Sequence, residues 1–244
     1  MLARLSTAGA LAGLAALGAA IAGFIALAPA QRATAADAAH PVVVELFQSQ
    51  GCSSCPPANA NLIALSQRPD VLALSFGVTY WDNLGWKDTF ASPQYTARQW
   101  DYARALRHDN VFTPQVVVNG RIDGVGAQHG EIEALMRRAE RTMPGPVVTI
   151  AASDVMVGAA PAARGADVWL VRYDPRVVQV AIQRGENGGR TLPHRNVVRE
   201  LVRLGGWNGQ AARFSLPASH DPALRTAVLV QTAGAGPILA AARG

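Results

Sequence analysis

Lysine is nearly missing from this chain. Of its 22 basic residues only Lys87 is lysine; the rest are arginine, a skew that codon bias suffices to explain. Charge is scarce as well: 16% of the residues are charged against 50% hydrophobic. A disordered chain shows the reverse balance, so a packed core is expected. Cysteine occurs twice in 244 residues, which excludes a disulfide-stapled scaffold. There is no clustered basic stripe, so nucleic acid is not an expected partner. There is no second Cys-x-x-Cys, and His40, His108, His129, His194 and His220 lack metal-ligand spacing. No metal and no cofactor are therefore expected. There is no internal repeat, and after residue 31 no apolar run is long enough to span a bilayer.

What is present begins with a long weakly apolar start. Arg4 is followed by an uncharged stretch over 5–31, mostly Ala, Gly, Leu and Ile. A basic start, an apolar middle and small residues at Ala28-Pro29-Ala30 or Ala33-Thr34-Ala35 read as a secretory signal. The competing reading is an uncleaved membrane anchor, for which the run is just long enough. Either places the remainder outside the cytoplasm, periplasmic or secreted, with no membrane span if the signal is cleaved. No twin arginine is present, which favours the general export route. Residues 1–35 form this leader or anchor. Without them the chain loses Arg4, Arg32 and no acid, and the formal charge falls from +5 to +3.

The mature chain opens with the β-branched run 42–47, as expected of a strand covered on both faces. A turn with Cys52 and Cys55 follows, then a helix over 59–66 and a second strand over 71–78. That is one βαβ unit. Residues 81–110 form an insertion rich in Trp, Tyr, Gln, Arg and Asp, with a helix over 95–108. Thr113-Pro114 precedes a strand over 115–118, Asn119-Gly120 marks a hairpin, and 121–125 returns. Ile132, Leu135, Met136 and Ala139 at helical spacing predict a helix over 131–143. Met143-Pro144-Gly145-Pro146 reads as a boundary. Beyond it, β-rich runs at 147–151, 155–158, 167–173, 177–183 and 227–231 predict a small antiparallel, sandwich-like domain over 146–244, with a helix pattern at 195–204.

The two cysteines are placed for chemistry. A C-x-x-C at a strand-to-helix turn sets both sulfurs near a helix N-terminus. Unpaired amides and the dipole there favour a thiolate at Cys52, the nucleophile of disulfide exchange. Cys55 would resolve the mixed disulfide. Other readings are a structural disulfide, half a zinc site, or an inert buried pair. A bridge across so few residues stabilises little, and a zinc site needs two further ligands.

Residues 42–57, the helix and strand after them, and Thr113-Pro114 before Gln115-Val116-Val117-Val118-Asn119-Gly120 resemble the thioredoxin superfamily. The resemblance covers roughly 41–143. It implies an α/β thioredoxin-like domain, a central mixed sheet flanked by helices with a helical insertion. It also implies a cis-proline at Pro114 beside the cysteine pair, with Thr113 presenting backbone to an extended substrate. More narrowly, Glu45-Leu46-Phe47, Gly51 to Pro57, Tyr80-Trp81-Asp82, Leu84-Gly85-Trp86-Lys87-Asp88, Thr113-Pro114-Gln115 and Arg184-Gly185-Glu186-Asn187 resemble DUF1223, a family of exported bacterial proteins. That family brings no established substrate.

Departures matter too. Ser53-Ser54 separates the cysteines, unlike the dipeptides of better understood redox proteins. Pro56 biases Cys55 away from α geometry. The superfamily's buried carboxylate sits six residues before the first cysteine, where this chain has Leu46. Glu45 is either the shifted proton acceptor for Cys55 or a paired strand residue. Tyr80 and Trp81, at the end of the second strand, are either a docking wall for a peptide or an anchor for the insertion. The loop 184–190 reads as a partner-facing or hairpin loop rather than a catalytic one.

Two functions of different class are expected to compete. One is an exported thiol–disulfide oxidoreductase acting on protein thiols or disulfides of the cell envelope. The other is a non-enzymatic thioredoxin-like binding module, handling copper or assembling with an envelope protein, with the cysteines as ligands or a structural pair.

Overall fold

The computed structural model describes residues 36–244 apart from 129, 142 and 163. The leader or anchor expected over 1–35 lies outside the described residues, as does His129.

Strand β1 (Val42–Gln48) is buried along its whole length. Its alternate side chains enter two cores, which is why the run is continuously apolar rather than alternating. On one face Val42, Val44 and Leu46 meet Ala58 and Leu62 of helix α1 (Cys55–Leu65). On the other, Val43 and Phe47 meet Leu74 and Phe76 of β2 (Val71–Gly77), which runs parallel to β1. Helix α2 (Pro93–Leu106) covers that second face with Tyr95 and Tyr102. Its start is built from Ser92, whose side chain accepts from the Gln94 amide, and from Pro93 in the first turn. Full burial of side chains such as Phe47, Leu74 and Phe76 contributes roughly 1.5–3 kcal/mol each.

Strands β3 (Gln115–Val118) and β4 (Ile122–Gly124) form the hairpin. Asn119 and Gly120 turn it with φ of 50° and 61°, the positive values such a two-residue loop requires. Helix α3 (Glu131–Arg138) lays Ile132, Leu135 and Met136 on the α1 side. Then come β5 (Val148–Ile150), β6 (Asp154–Val157), β7 (Ala166–Asp174), β8 (Val178–Ala181), β9 (Thr191–His194), β10 (Val197–Trp207), β11 (Ala212–Ser215), β12 (Arg225–Thr232) and β13 (Ile238–Arg243).

The result is a mixed α/β protein. One eight-stranded sheet runs β13-β12-β7-β10-β2-β1-β3-β4, with smaller antiparallel sheets β11-β6-β5 and β8-β9. Here the structure corrects two expectations. The residues after 146 do not stand apart, because β10 pairs with the free edge of β2 and extends the same sheet. Two antiparallel layers do exist there: Val155 and Val157 of β6 pack on Val168, Val228 and Val230. One of those layers is the main sheet itself, so the described residues fall in one compact unit. The Met143–Pro146 segment is seated against β13, with a Cβ at Gly145 falling into the Leu239 carbonyl. The helix expected at 195–204 is strand β10. Helix α1 also begins at Cys55, earlier than expected, since Pro56 and Pro57 suit a first turn where amides have no intrahelical acceptor.

Candidate functional site

Strand β1 delivers the chain to the cysteines at the end where β1 and β2 finish. After Gln48 the backbone turns, with the Cys52 amide donating to the Ser49 carbonyl and the Cys55 amide to the Cys52 carbonyl. Cys52 and Cys55 are joined as a disulfide, with Cα atoms 5.4 Å apart. Their residues are 0% and 1% exposed. The pair opens α1, but the donors expected there are depleted. Pro56 and Pro57 have no N–H, and the Cys55 amide is already used. What stands beside Cys52 Sγ is a side chain: Ser54 Oγ at 3.3 Å.

Ser54 Oγ also donates to the Thr113 carbonyl, at 3.4 Å. The Thr113–Pro114 peptide is cis, and Pro114 is buried. Trp81 Nε1 donates to Thr113 Oγ1 at 2.8 Å. Tyr80 and Trp81 both pack against the α2-side core. The Tyr80 hydroxyl is buried without a well-formed hydrogen bond. Burial pushes it above the usual tyrosine range, partly offset by Gln99 and Thr113. Hydrogen bonds thus tie Ser54 to Thr113 and Thr113 to Trp81 beside the disulfide. Trp81 thus anchors the insertion to the core and to Thr113.

The insertion and the C-terminal half both reach the turn. Trp86 Nε1 donates to Gln50 Oε1 at 2.9 Å. The buried Asp88 carboxylate accepts from the Gln50 and Phe90 amides. Burial raises the Asp88 pKa despite those donors. From the far half, the loop 184–190 closes on the cysteines. Asn187 Nδ2 donates to the Gln50 carbonyl at 2.9 Å and the Cys52 carbonyl at 2.8 Å. Arg190 Nη1 holds the Asn187 Oδ1 at 2.7 Å. Glu186 Oε2 accepts from the Ser53 amide at 3.0 Å and its hydroxyl at 2.7 Å. Those two bonds hold the Glu186 carboxyl below the usual carboxylate range. The sequence pattern reads this stretch as a loop away from the site, and the structure brings it to the cysteine turn. Its signal was a Glu-Asn pair framed by Gly185 and Gly189, which adopt φ of 76° and 81°.

Glu45 is placed elsewhere. It is fully buried on the α2 side, paired with Arg98 Nε at 2.8 Å and hydrogen-bonded by Tyr102. Gln231 joins Arg98 and Tyr102 in the same network. The carboxylate therefore serves a helix-to-sheet contact, and no hydrogen bond links it to the cysteine pair among the described residues. Under α1 lies a different polar group: Gln48 Nε2 donates to Asn59 Oδ1 and Ser75 Oγ. Asn59 donates onward to the Pro193 carbonyl. The adjacent His194 is buried with an unpartnered Nε2, and burial lowers its pKa to about 4. Among the described residues no three His, Cys, Asp or Glu side chains group as a metal site.

A sequence profile described as a protein of unknown function, DUF1223, matches residues 43–231. The chain belongs to the DUF1223 family. The DUF1223 match takes in both cysteines, Thr113-Pro114 and the 184–190 loop. The crystal structure of protein AGR_C_4864 from Agrobacterium tumefaciens is similar, at 33% identity and a TM-score of 0.69. That likeness covers 86% of this chain and 95% of the other. HBP35 of Porphyromonas gingivalis matches with a TM-score of 0.54 at 13% identity, over 84% of this chain and 74% of its own. At that identity the likeness is one of fold alone. No curated protein matches the chain. What stands is a DUF1223 protein with a Cys-x-x-Cys pair at a helix start.

Proposed function

We propose that this chain is a thiol–disulfide oxidoreductase of thioredoxin-like build, exported and acting on protein thiols in the cell envelope. The observation that carries the reading is the disulfide between Cys52 and Cys55 at the start of α1, with the Thr113 carbonyl hydrogen-bonded to Ser54 beside it. In the reduced protein, the Cys52 thiolate attacks a substrate disulfide. A mixed disulfide forms, and the partner's other sulfur leaves as a thiolate and takes a proton. Cys55, deprotonated, then attacks Cys52 Sγ; the intramolecular disulfide forms and the substrate leaves as a dithiol. Two electrons pass from the cysteine pair to the substrate, and the reverse sequence oxidises a dithiol. Residues 41–143 carry the thioredoxin-like arrangement in this reading. Thr113 and Pro114 shape docking, with Tyr80 and Trp81 behind them, and the loop 184–190 governs access to the pair.

The competing reading, a binding module with a structural or copper-ligating pair, draws on the burial of both sulfurs. One experiment separates the two. A Cys55→Ala variant of the full chain, produced in its own envelope, should accumulate mixed disulfides through Cys52, and Cys52→Ser should abolish them. If none form, and the purified protein binds copper stoichiometrically without turning over a disulfide substrate, the enzyme reading is lost.

A further inference from the structure

A second site is suggested at the other end of the sheet, where β1 and β2 begin. Strands β1 and β2 have seven residues each, so this end lies roughly 20 Å from the cysteines. Here Arg176, Arg195, Arg225 and Arg243 line one cavity of about 220 Å³, together with Asn196 and Tyr173. Arg176 and Arg225 reach solvent at its rim while Arg195 and Arg243 are partly buried, where like charges repel more strongly than in water.

The protein's own acids answer only in part. Arg176 is held by both oxygens of Asp174, at 2.8 and 2.7 Å. Asp70 is engaged by Arg68. Arg195 is fixed by one bond, Nε to the Pro175 carbonyl at 3.0 Å. Arg243 is fixed by Nη2 on the Val71 carbonyl, while its Nε is buried without a partner. Arg225 makes no side-chain hydrogen bond or ion pair among the described residues. Backbone carbonyls thus hold two guanidinium groups in place, and only Asp70, already paired with Arg68, lies near enough to answer Arg243 in part. That is preorganisation for an external anion rather than an internal salt-bridge network. Tyr173 adds a hydroxyl; burial raises its pKa while Arg243 and Arg225 pull it back.

We propose that this arginine cavity binds a tetrahedral oxyanion of the phosphate type, free or as the terminal group of a small ligand. Guanidinium forks match such oxygens in pairs. Three incompletely answered arginines offer more donors than the two oxygens of a simple carboxylate accept. The site is separate from the cysteine pair and stands or falls without it.

The test is calorimetric titration of the full chain with inorganic phosphate, sulfate and acetate, at constant ionic strength. Phosphate and sulfate should each bind saturably at one per chain, with acetate at least tenfold weaker. Arg225→Gln should weaken phosphate binding tenfold or more, and Arg195→Gln with Arg225→Gln should abolish it. Anion-free thermal melting shows whether these variants fold. Should the double variant not fold, Arg225→Gln alone decides. Reduction of the Cys52–Cys55 disulfide should proceed at the wild-type rate in Arg225→Gln, which keeps this test independent of the redox reading. No saturable phosphate binding, or binding unchanged in a folded Arg225→Gln variant, overturns the proposal. Acetate binding as tightly as phosphate overturns the oxyanion assignment.

Discussion

Replacing Asn187 with alanine should free the turn that carries the cysteines. Its Nδ2 holds two carbonyls at once, Gln50 at 2.9 Å and Cys52 at 2.8 Å. Gln50 and Cys52 are 1% and 0% exposed, so neither carbonyl gains a water unless the turn or the loop moves. A hydrogen bond of this kind contributes about 1 kcal/mol net, so the clamp is worth about 2 kcal/mol. With Cys52 covered, an external reductant reaches its sulfur only from an opened arrangement. When opening and closing are fast relative to attack, the rate follows the open population. Shifting that equilibrium by about 2 kcal/mol raises it about thirtyfold. The assay is the rate of disulfide reduction by excess dithiothreitol, read by quenching with a mass-shifting maleimide. Arg190→Ala, which loosens the Asn187 amide without deleting it, should accelerate reduction less. Should Asn187→Ala melt like the wild type and be reduced at the wild-type rate, the 184–190 loop does not control access.

Glu186 should make that access depend on pH. Its folded pKa lies below the ordinary 4.5 because Ser53 donates to it. The contact is therefore fully present above pH 4.5 and lost as pH falls through the lower folded value. Reduction by an acid-tolerant phosphine should accelerate over that range, and Glu186→Gln should show no such rise. Ser54→Ala removes the hydroxyl 3.3 Å from Cys52 Sγ. In the reduced protein that hydroxyl can turn from the Thr113 carbonyl to the thiolate; alkylation at neutral pH should then slow by about tenfold without it, the effect of a hydrogen bond of about 1.4 kcal/mol to a charged sulfur, and an unchanged rate dismisses Ser54. His194 has a folded pKa of about 4 against 6.5 when free. The unfolded chain thus takes up its proton first, and stability present above pH 6.5 falls toward pH 4 by about 3 kcal/mol. Urea midpoints of His194→Gln should lack that component; parallel curves for the two proteins would count against it. Gly77→Ala places a Cβ 2.8 Å from the Phe90 backbone. It should cost about 1–3 kcal/mol in urea unfolding, and a loss within error refutes the close approach.

Local patterns in the sequence carried much of the first half. The runs at 42–47 and 71–78 become β1 and β2, and Asn119-Gly120 turns the expected hairpin. Strand β10 failed for a traceable reason. Val197, Val198, Leu201 and Val202 fall at helical spacing, with Arg199 and Glu200 between them and Arg203 after. In the sheet, register shifts between Val198 and Glu200 and between Arg203 and Gly205 break the two-residue alternation. Such irregularities imitate the period of a helix. A helix at that position hides the strand through which the C-terminal residues extend the main sheet. The contact of Asn187 with Gln50 spans 137 residues. No spacing rule reaches that far, so the loop was legible as a loop but not as part of the site. Glu45 shows the converse. Its position near the cysteines in sequence suggested chemistry, but the alternation of β1 sends it to the α2 side and into Arg98.

The two prolines after Cys55 explain why distant side chains matter here. A C-x-x-C pair at a helix start ordinarily draws on free first-turn amides to favour negative charge on sulfur. In this chain Pro56 and Pro57 remove two of those amides and the third is engaged by the Cys52 carbonyl. What remains is the helix dipole, the Ser54 amide at the N-cap, and the Ser54 hydroxyl beside the sulfur, which donates to the Thr113 carbonyl. Glu186 adds a carboxylate to the same turn, bonded to the Ser53 amide and hydroxyl. The 184–190 loop therefore holds the cysteine turn through its backbone, at the Gln50 and Cys52 carbonyls and at Ser53. The half of the chain that looks separable in sequence thus supplies hydrogen bonds to a cysteine turn that two prolines leave with fewer backbone donors.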